Sequence, residues 1–129
     1  MLAVDTNIIV RYVTRDHPVQ SPRAKALIDG NDVVVATTVL LETEWVLRSA
    51  YRFSRTEIVE ALGSFAGLPR VTLEDPARAL EALDWFAGGM DFADALHLAS
   101  AESCEAFVSF DRRLVNVASR VGAATVRAP

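Results

Sequence analysis

The chain has 129 residues, 51% of them hydrophobic, and a net charge of −4, enough for a single domain spanning 1–129 whose core needs no covalent staples. The acidic balance excludes a protein that holds nucleic acid through an overall basic field, and no apolar run approaches the roughly 18 residues of a membrane span. The lone Cys104 cannot form an internal disulfide, and Asp5 and Asn7 break an N-terminal stretch that lacks the basic start of a signal peptide, so the expected compartment is the reducing cytoplasm, without a membrane.

In chain order, Met1 to Val4 is a short apolar run ending at Asp5 and predicts a buried strand. Ile8, Ile9, Tyr12 and Val13 have helical spacing over Thr6 to Thr14. Pro18 and Pro22 interrupt the chain, and Ser21-Pro22 reads as a helix start with serine as the cap, ending at Gly30. Val33 to Ala36 predicts a second buried strand. Thr37 or Thr38 then caps a long helix to about Tyr51. Ser54-Arg55-Thr56-Glu57 is a capping box that opens the next helix, which ends near Gly67-Leu68-Pro69. Arg70 to Leu73 is a third strand, and Asp75-Pro76 opens a helix that stops at Gly88-Gly89. Asp91 starts a helix to about Glu102, on which Cys104 is expected to follow as a packing residue. Ala106 to Phe110 is a fourth strand, Asp111 to about Arg120 a helix, and Ala124 to Arg127 an edge strand. Short valine-rich strands alternating with helices predict an α/β fold with a parallel sheet covered on both sides.

Ligands in such sheets bind beyond the carboxyl ends of the strands, and Asp5 and Asp111 fall at two such ends. Either would serve equally as a helix cap. Glu42 and Glu44 are two residues apart and so point about 200° apart on a helix. Glu44 precedes Arg48 by one turn and reads as its solvated partner. Glu42 lies between Val46 and Trp45 on the wheel, near Val39, where a carboxylate is costly unless a cation compensates it or its head reaches water. Asp91 is placed to cap a helix whose first turn holds Asp94, and the positive end of the helix dipole would keep Asp94 ionised. Oxygen-only acids in this number suit magnesium or manganese better than zinc. His17 reads as a surface loop residue and His97 as a packing or hydrogen-bonding one. With Lys25 the only lysine, phosphate contacts would fall to arginines.

Asp5-Thr6-Asn7-Ile8-Ile9-Val10-Arg11-Tyr12, Leu40-Leu41-Glu42 with Trp45-Val46-Leu47, Asp91-Phe92-Ala93-Asp94-Ala95-Leu96-His97 and Ser109-Phe110-Asp111-Arg112-Arg113-Leu114 resemble, in order and spacing, the four motifs of PIN-domain proteins, in particular VapC-type toxins of bacterial toxin–antitoxin pairs. The resemblance covers nearly the whole chain. It implies a PIN-like three-layer α/β/α sandwich with a central parallel sheet. Asp5, Glu42, Asp94 and Asp111 map onto the family acids that hold one or two Mg2+ or Mn2+ ions. Thr6, Asn7, Asp91 and Ser109 are candidate supporting residues.

The expected activity is metal-assisted hydrolysis of RNA phosphodiesters, with Arg11, Arg15, Arg112 and Arg113 as candidate RNA contacts. The expected partners are an RNA substrate, a cognate antitoxin that masks the acids and supplies any DNA binding, and a second copy of the chain, with Tyr12, Trp45 and Tyr51 as candidate interface aromatics, although core packing is the favoured role for Trp45. Two other readings keep the fold: a PIN nuclease of RNA processing outside a toxin system, and a non-catalytic binding module. A response-regulator receiver domain is disfavoured, because Asp5 lacks a neighbouring acid and Lys25 comes too early in the chain.

Overall fold

Val33-Val34-Val35 forms the middle strand of a three-stranded parallel sheet in the computed structural model, which describes all of residues 1–129. The chain divides into two units, Met1–Pro76 and Ala77–Pro129, and each has its own parallel ladder. In the first unit β1 (Leu2–Ala3) lies beside β2 (Val33–Val35), and β2 beside β3 (Val71–Leu73). The registers pair Leu2 with Val33 and Val33 with Val71. β-branched side chains suit this pleated, half-covered surface, and Val33 and Val35 are buried. β1 is the exception to the expected burial: it leaves Leu2 exposed, unlike Val71 and Leu73 of the other edge strand, and the buried residue of its segment is Val4.

Helices α1 (Thr6–Thr14), α2 (Gln20–Gly30), α3 (Thr37–Ser49) and α4 (Arg55–Ala66) complete this unit. α1 packs on α2 and α3, and α3 on α4. Ile9, Ile28, Leu47, Ile58, Leu62 and Phe65 are withdrawn from water here, and the Tyr12 ring meets Phe65 edge-on at 5.6 Å. Two helix starts differ from expectation. α2 begins at Gln20, ahead of the expected serine cap, because the His17 ring does the capping: its Nδ1 accepts from the backbone N–H groups of Val19 and Gln20. The Ser21 hydroxyl accepts from the His17 N–H instead. Neither Thr37 nor Thr38 caps α3; the carboxylate of Glu74, just past β3, accepts from the Thr37 N–H at 2.8 Å. The capping box of α4 forms as expected, with Ser54 and Glu57 each accepting from the other's backbone N–H.

The second unit holds α5 (Pro76–Ala87, whose first residue lies at the unit boundary), α6 (Phe92–Ala99), β4 (Phe107–Val108), α7 (Arg112–Val121) and β5 (Val126–Arg127). β4 and β5 run parallel, pairing Phe107 with Val126. Ala82, Phe86, Met90, Phe92, Ala95 and Leu98 form its core, with Phe86 and Phe92 edge-to-face at 5.5 Å. α5 ends at Ala87, and the two residues that follow have reasons to be glycine. A Cβ at Gly88 would sit 2.7 Å from Val121 Cγ1, and Gly89 turns the chain at φ 116°. α6 ends at Ala99, so Cys104 is not packed in a helix but lies exposed in the turns that follow. No helix is long and apolar enough to cross a membrane.

Candidate functional site

Within the first unit, Asp5 stands where the fold of the segment requires it, directly beyond β1 and at the N-cap of α1. Its Oδ1 accepts from the Thr6 N–H at 2.7 Å, which leaves the second carboxylate oxygen for another donor or a cation. Thr6 is buried at 6% exposure, and its Oγ1 is the buried side-chain polar atom left without a hydrogen-bond partner. Thr43 donates its hydroxyl back to the Val39 carbonyl at 2.7 Å. Thr6 opens its helix and has no preceding turn to receive it. Asn7 is exposed and, with Arg11, Gln20 and Arg23, lines a cleft of about 270 Å3 between α1 and α2.

The two glutamates of α3 exchange the environments expected of them. Glu44 is buried, at 1% exposure, and pairs with Arg48 through Nε at 2.9 Å. It shares the inward stripe of Leu40, Thr43 and Leu47. Glu42 is exposed, as is Trp45 at 57%. Glu42 thus takes the water-reaching one of its two expected positions and needs no cation on account of burial, and Trp45 is not a core residue. What remains for Glu42 is an accessible carboxylate outside every ion pair of the chain. Glu74 had no role in the sequence pattern. It is a further acid at the carboxyl end of the sheet, committed by one oxygen to the start of α3.

Within the second unit the structure brings Asp91, Asp94 and Asp111 close enough to act on one another. Burial and then the charges of Asp91 and Asp111 push the Asp94 carboxyl above its ordinary range, with His97 opposing them. The expectation that the helix dipole would dominate and favour the anion is thus reversed: desolvation and like charge outweigh it. Asp91 caps α6, accepting from the Asp94 N–H at 3.2 Å. Asp111 caps α7, its Oδ1 accepting from Arg113 and Leu114, while the Ser109 hydroxyl accepts from the Asp111 N–H at 3.0 Å. Ser109 thus supports Asp111 as a positioning residue. His97 is exposed rather than packed, and it is the group that offsets the repulsion on Asp94.

The candidate RNA-binding arginines divide. Arg11 is held by Gln20, Asp16 and the Tyr51 hydroxyl, so its guanidinium is occupied within the fold. Arg15 ends α1 in the left-handed conformation at φ 53° and is exposed. Arg112 and Arg113 are exposed in the first turn of α7.

As the side chains stand, no three His, Cys, Asp or Glu residues converge into a group able to hold a metal ion. The residues nevertheless fit a hard divalent cation. Their donors are carboxylate oxygens. None of Asp5, Glu42, Asp91, Asp94 and Asp111 is neutralised by an ion pair. Asp94 is disfavoured as an anion until positive charge arrives.

No curated protein matches the chain. The PIN domain family matches it over residues 2–120, a span that takes in all four acidic motifs. PIN domains have a nuclease-type fold, are commonly nucleases and typically use divalent metal ions. The parallel strands, the acids that follow them and the extent of this match lead to one conclusion: the chain belongs to the PIN-domain family.

Proposed function

We propose that the chain is a metal-dependent ribonuclease, the toxin of a toxin–antitoxin pair, acting in the cytoplasm. The observation that supports the nuclease reading most directly is the set of carboxylates around Asp94, which repel one another and have no ion-pair partner in a PIN domain. A protein of this size gains no stability from such a set. Asp5, Glu42, Asp94 and Asp111 are the proposed ligands, with Thr6, Asn7, Asp91 and Ser109 supporting them. When bound, Mg2+ or Mn2+ would supply a water of lowered pKa and positive charge against the phosphate.

The chain's own residues have distinct tasks. Asp5 and Asp111 each hold a helix start with one oxygen and offer the other. Asp94 contributes the charge that burial makes unfavourable in the free protein. Glu42, exposed on α3, is free to orient a water molecule. Arg15, Arg112 and Arg113 are placed to meet phosphates.

The decisive measurement is cleavage of single-stranded and structured RNA by purified protein in Mg2+ or Mn2+ and in excess EDTA. The reading expects cleavage in the first and none in the second, with Asp5→Asn and Asp94→Asn folded and inactive. Full activity in EDTA, or in either variant, refutes it. The toxin role predicts a small protein encoded beside this one that co-purifies with the chain and suppresses cleavage. A homodimer is proposed for the same complex, to be read by light scattering.

A further inference from the structure

Phe110 is the most exposed large apolar side chain of the molecule, at 88%, ahead of Met1 at 79% and every other at 59% or less. A phenyl ring held in water is unfavourable unless something covers it. Its backbone is firmly placed. The Ser109 N–H donates to the Arg127 carbonyl at 3.0 Å, the Asp111 N–H donates to the Ser109 hydroxyl at 3.0 Å, and Asp111 caps α7. The ring is therefore presented by a fixed segment, one residue before an acid that acts on Asp94 and two residues before the exposed pair Arg112-Arg113.

We propose that Phe110 is a stacking platform for one unpaired nucleobase of the substrate, taken next in sequence to Asp111. The inference rests on the nuclease reading above and adds a base-contacting residue to it. An aromatic face binds any unpaired base, whereas a base inside a duplex already has both faces covered. The chain around Phe110 favours RNA over a protein partner. A ring that anchors a protein interface sits within an apolar surround, and here, within two residues on either side, the half-exposed Val108 is the one apolar neighbour among Ser109, Asp111 and Arg112, with Arg113 following. Acids to hold a cation, arginines for phosphates and a ring for a base are the three components that a single-stranded phosphodiester requires.

The test compares wild type with Phe110→Ala, Phe110→Leu and Phe110→Trp, all expected to match wild type in circular dichroism and unfolding midpoint because the side chain is solvated. Steady-state cleavage of a single-stranded oligoribonucleotide is measured in Mg2+, together with quenching of 2-aminopurine placed at successive positions of the same RNA. Phe110→Ala and Phe110→Leu should lower kcat/KM about tenfold or more, chiefly through KM, and abolish quenching at one position, while Phe110→Trp retains both. Wild-type cleavage and quenching in Phe110→Ala, or retention by Phe110→Leu, overturns the proposal and leaves the nuclease reading intact. So does a Phe110→Ala variant that loses a protein complex or dimer on size exclusion but binds RNA unchanged. Quenching that depends on Phe110 without any cleavage in Mg2+ or Mn2+ upholds the platform and removes the nuclease reading.

Discussion

A carboxylate partly withdrawn from water and facing two others weakens a fold at neutral pH, and Asp94 is in that position. An acid whose folded-state pKa is raised destabilises the protein above that value, and the penalty vanishes as pH falls toward the unfolded value. Asp94→Asn should therefore raise the unfolding midpoint at pH 7 in EDTA, and the advantage over wild type should close as pH approaches 3.8, the ordinary aspartate value. Addition of Mg2+ or Mn2+ should stabilise wild type and leave this variant unmoved; an equal shift in both would count against Asp94 as a ligand. Glu44 presents the opposite case. It is buried against a half-exposed Arg48, so Arg48→Ala should cost roughly 1–3 kcal/mol, between the values for buried and surface pairs, measurable by urea unfolding. The acids of the site were legible in the sequence as motif positions, but which glutamate of α3 points inward was not. Val39, Trp45 and Val46 looked like a core face around Glu42, whereas the true stripe runs through Leu40, Thr43, Glu44 and Leu47. Apolar side chains at the rim of a helix carry no label saying whether another element covers them.

Local chemistry predicted the elements well where a serine or aspartate caps the turn that directly follows it. Ser54 with Glu57, Asp91 with Asp94 and Asp111 with Leu114 are such pairs, and Ser54→Ala should cost about 1 kcal/mol in thermal or chemical unfolding. The start of α3 was legible at Thr37, but its cap was not, because it comes from Glu74, 37 residues away. The tie between the end of α1 and the end of α3 is equally remote. Asp16 accepts from the Thr14 and Tyr51 hydroxyls at 2.7 and 2.8 Å and from Arg11. The Thr14 hydroxyl first, then the Tyr51 hydroxyl and the Arg11 guanidinium, hold its pKa down at about 2. A depressed acid stabilises the fold above its unfolded value and loses that contribution as pH falls through the folded one. Wild type should thus lose stability between about pH 4 and 2 partly through this group, and Asp16→Ala should be less stable at pH 7 while showing a shallower acid decline. An unchanged acid limb in the variant would remove Asp16 from the account.

For the whole chain, the parallel α/β class and the PIN match over residues 2–120 agree with what the alternation of strands and helices and the four motifs implied. The burial of β1 and the extent of the last strands did not follow, because strands of two residues are set by their ladder partners rather than by their own composition. A net charge of −4 gives RNA no general attraction to the molecule. If Arg112 and Arg113 each meet one phosphate, the logarithm of affinity should fall with the logarithm of salt with a slope of about −1.4 for single strands, far shallower than for a basic RNA binder; a slope several times steeper would require further basic contacts. The double duty of the capping aspartates bears on how such a protein is silenced over evolutionary time. Losing Asp111 removes a cap as well as an acid, whereas losing Asp94 relieves repulsion. Lineages that retire the enzyme but keep the scaffold should accumulate their first lesion at position 94.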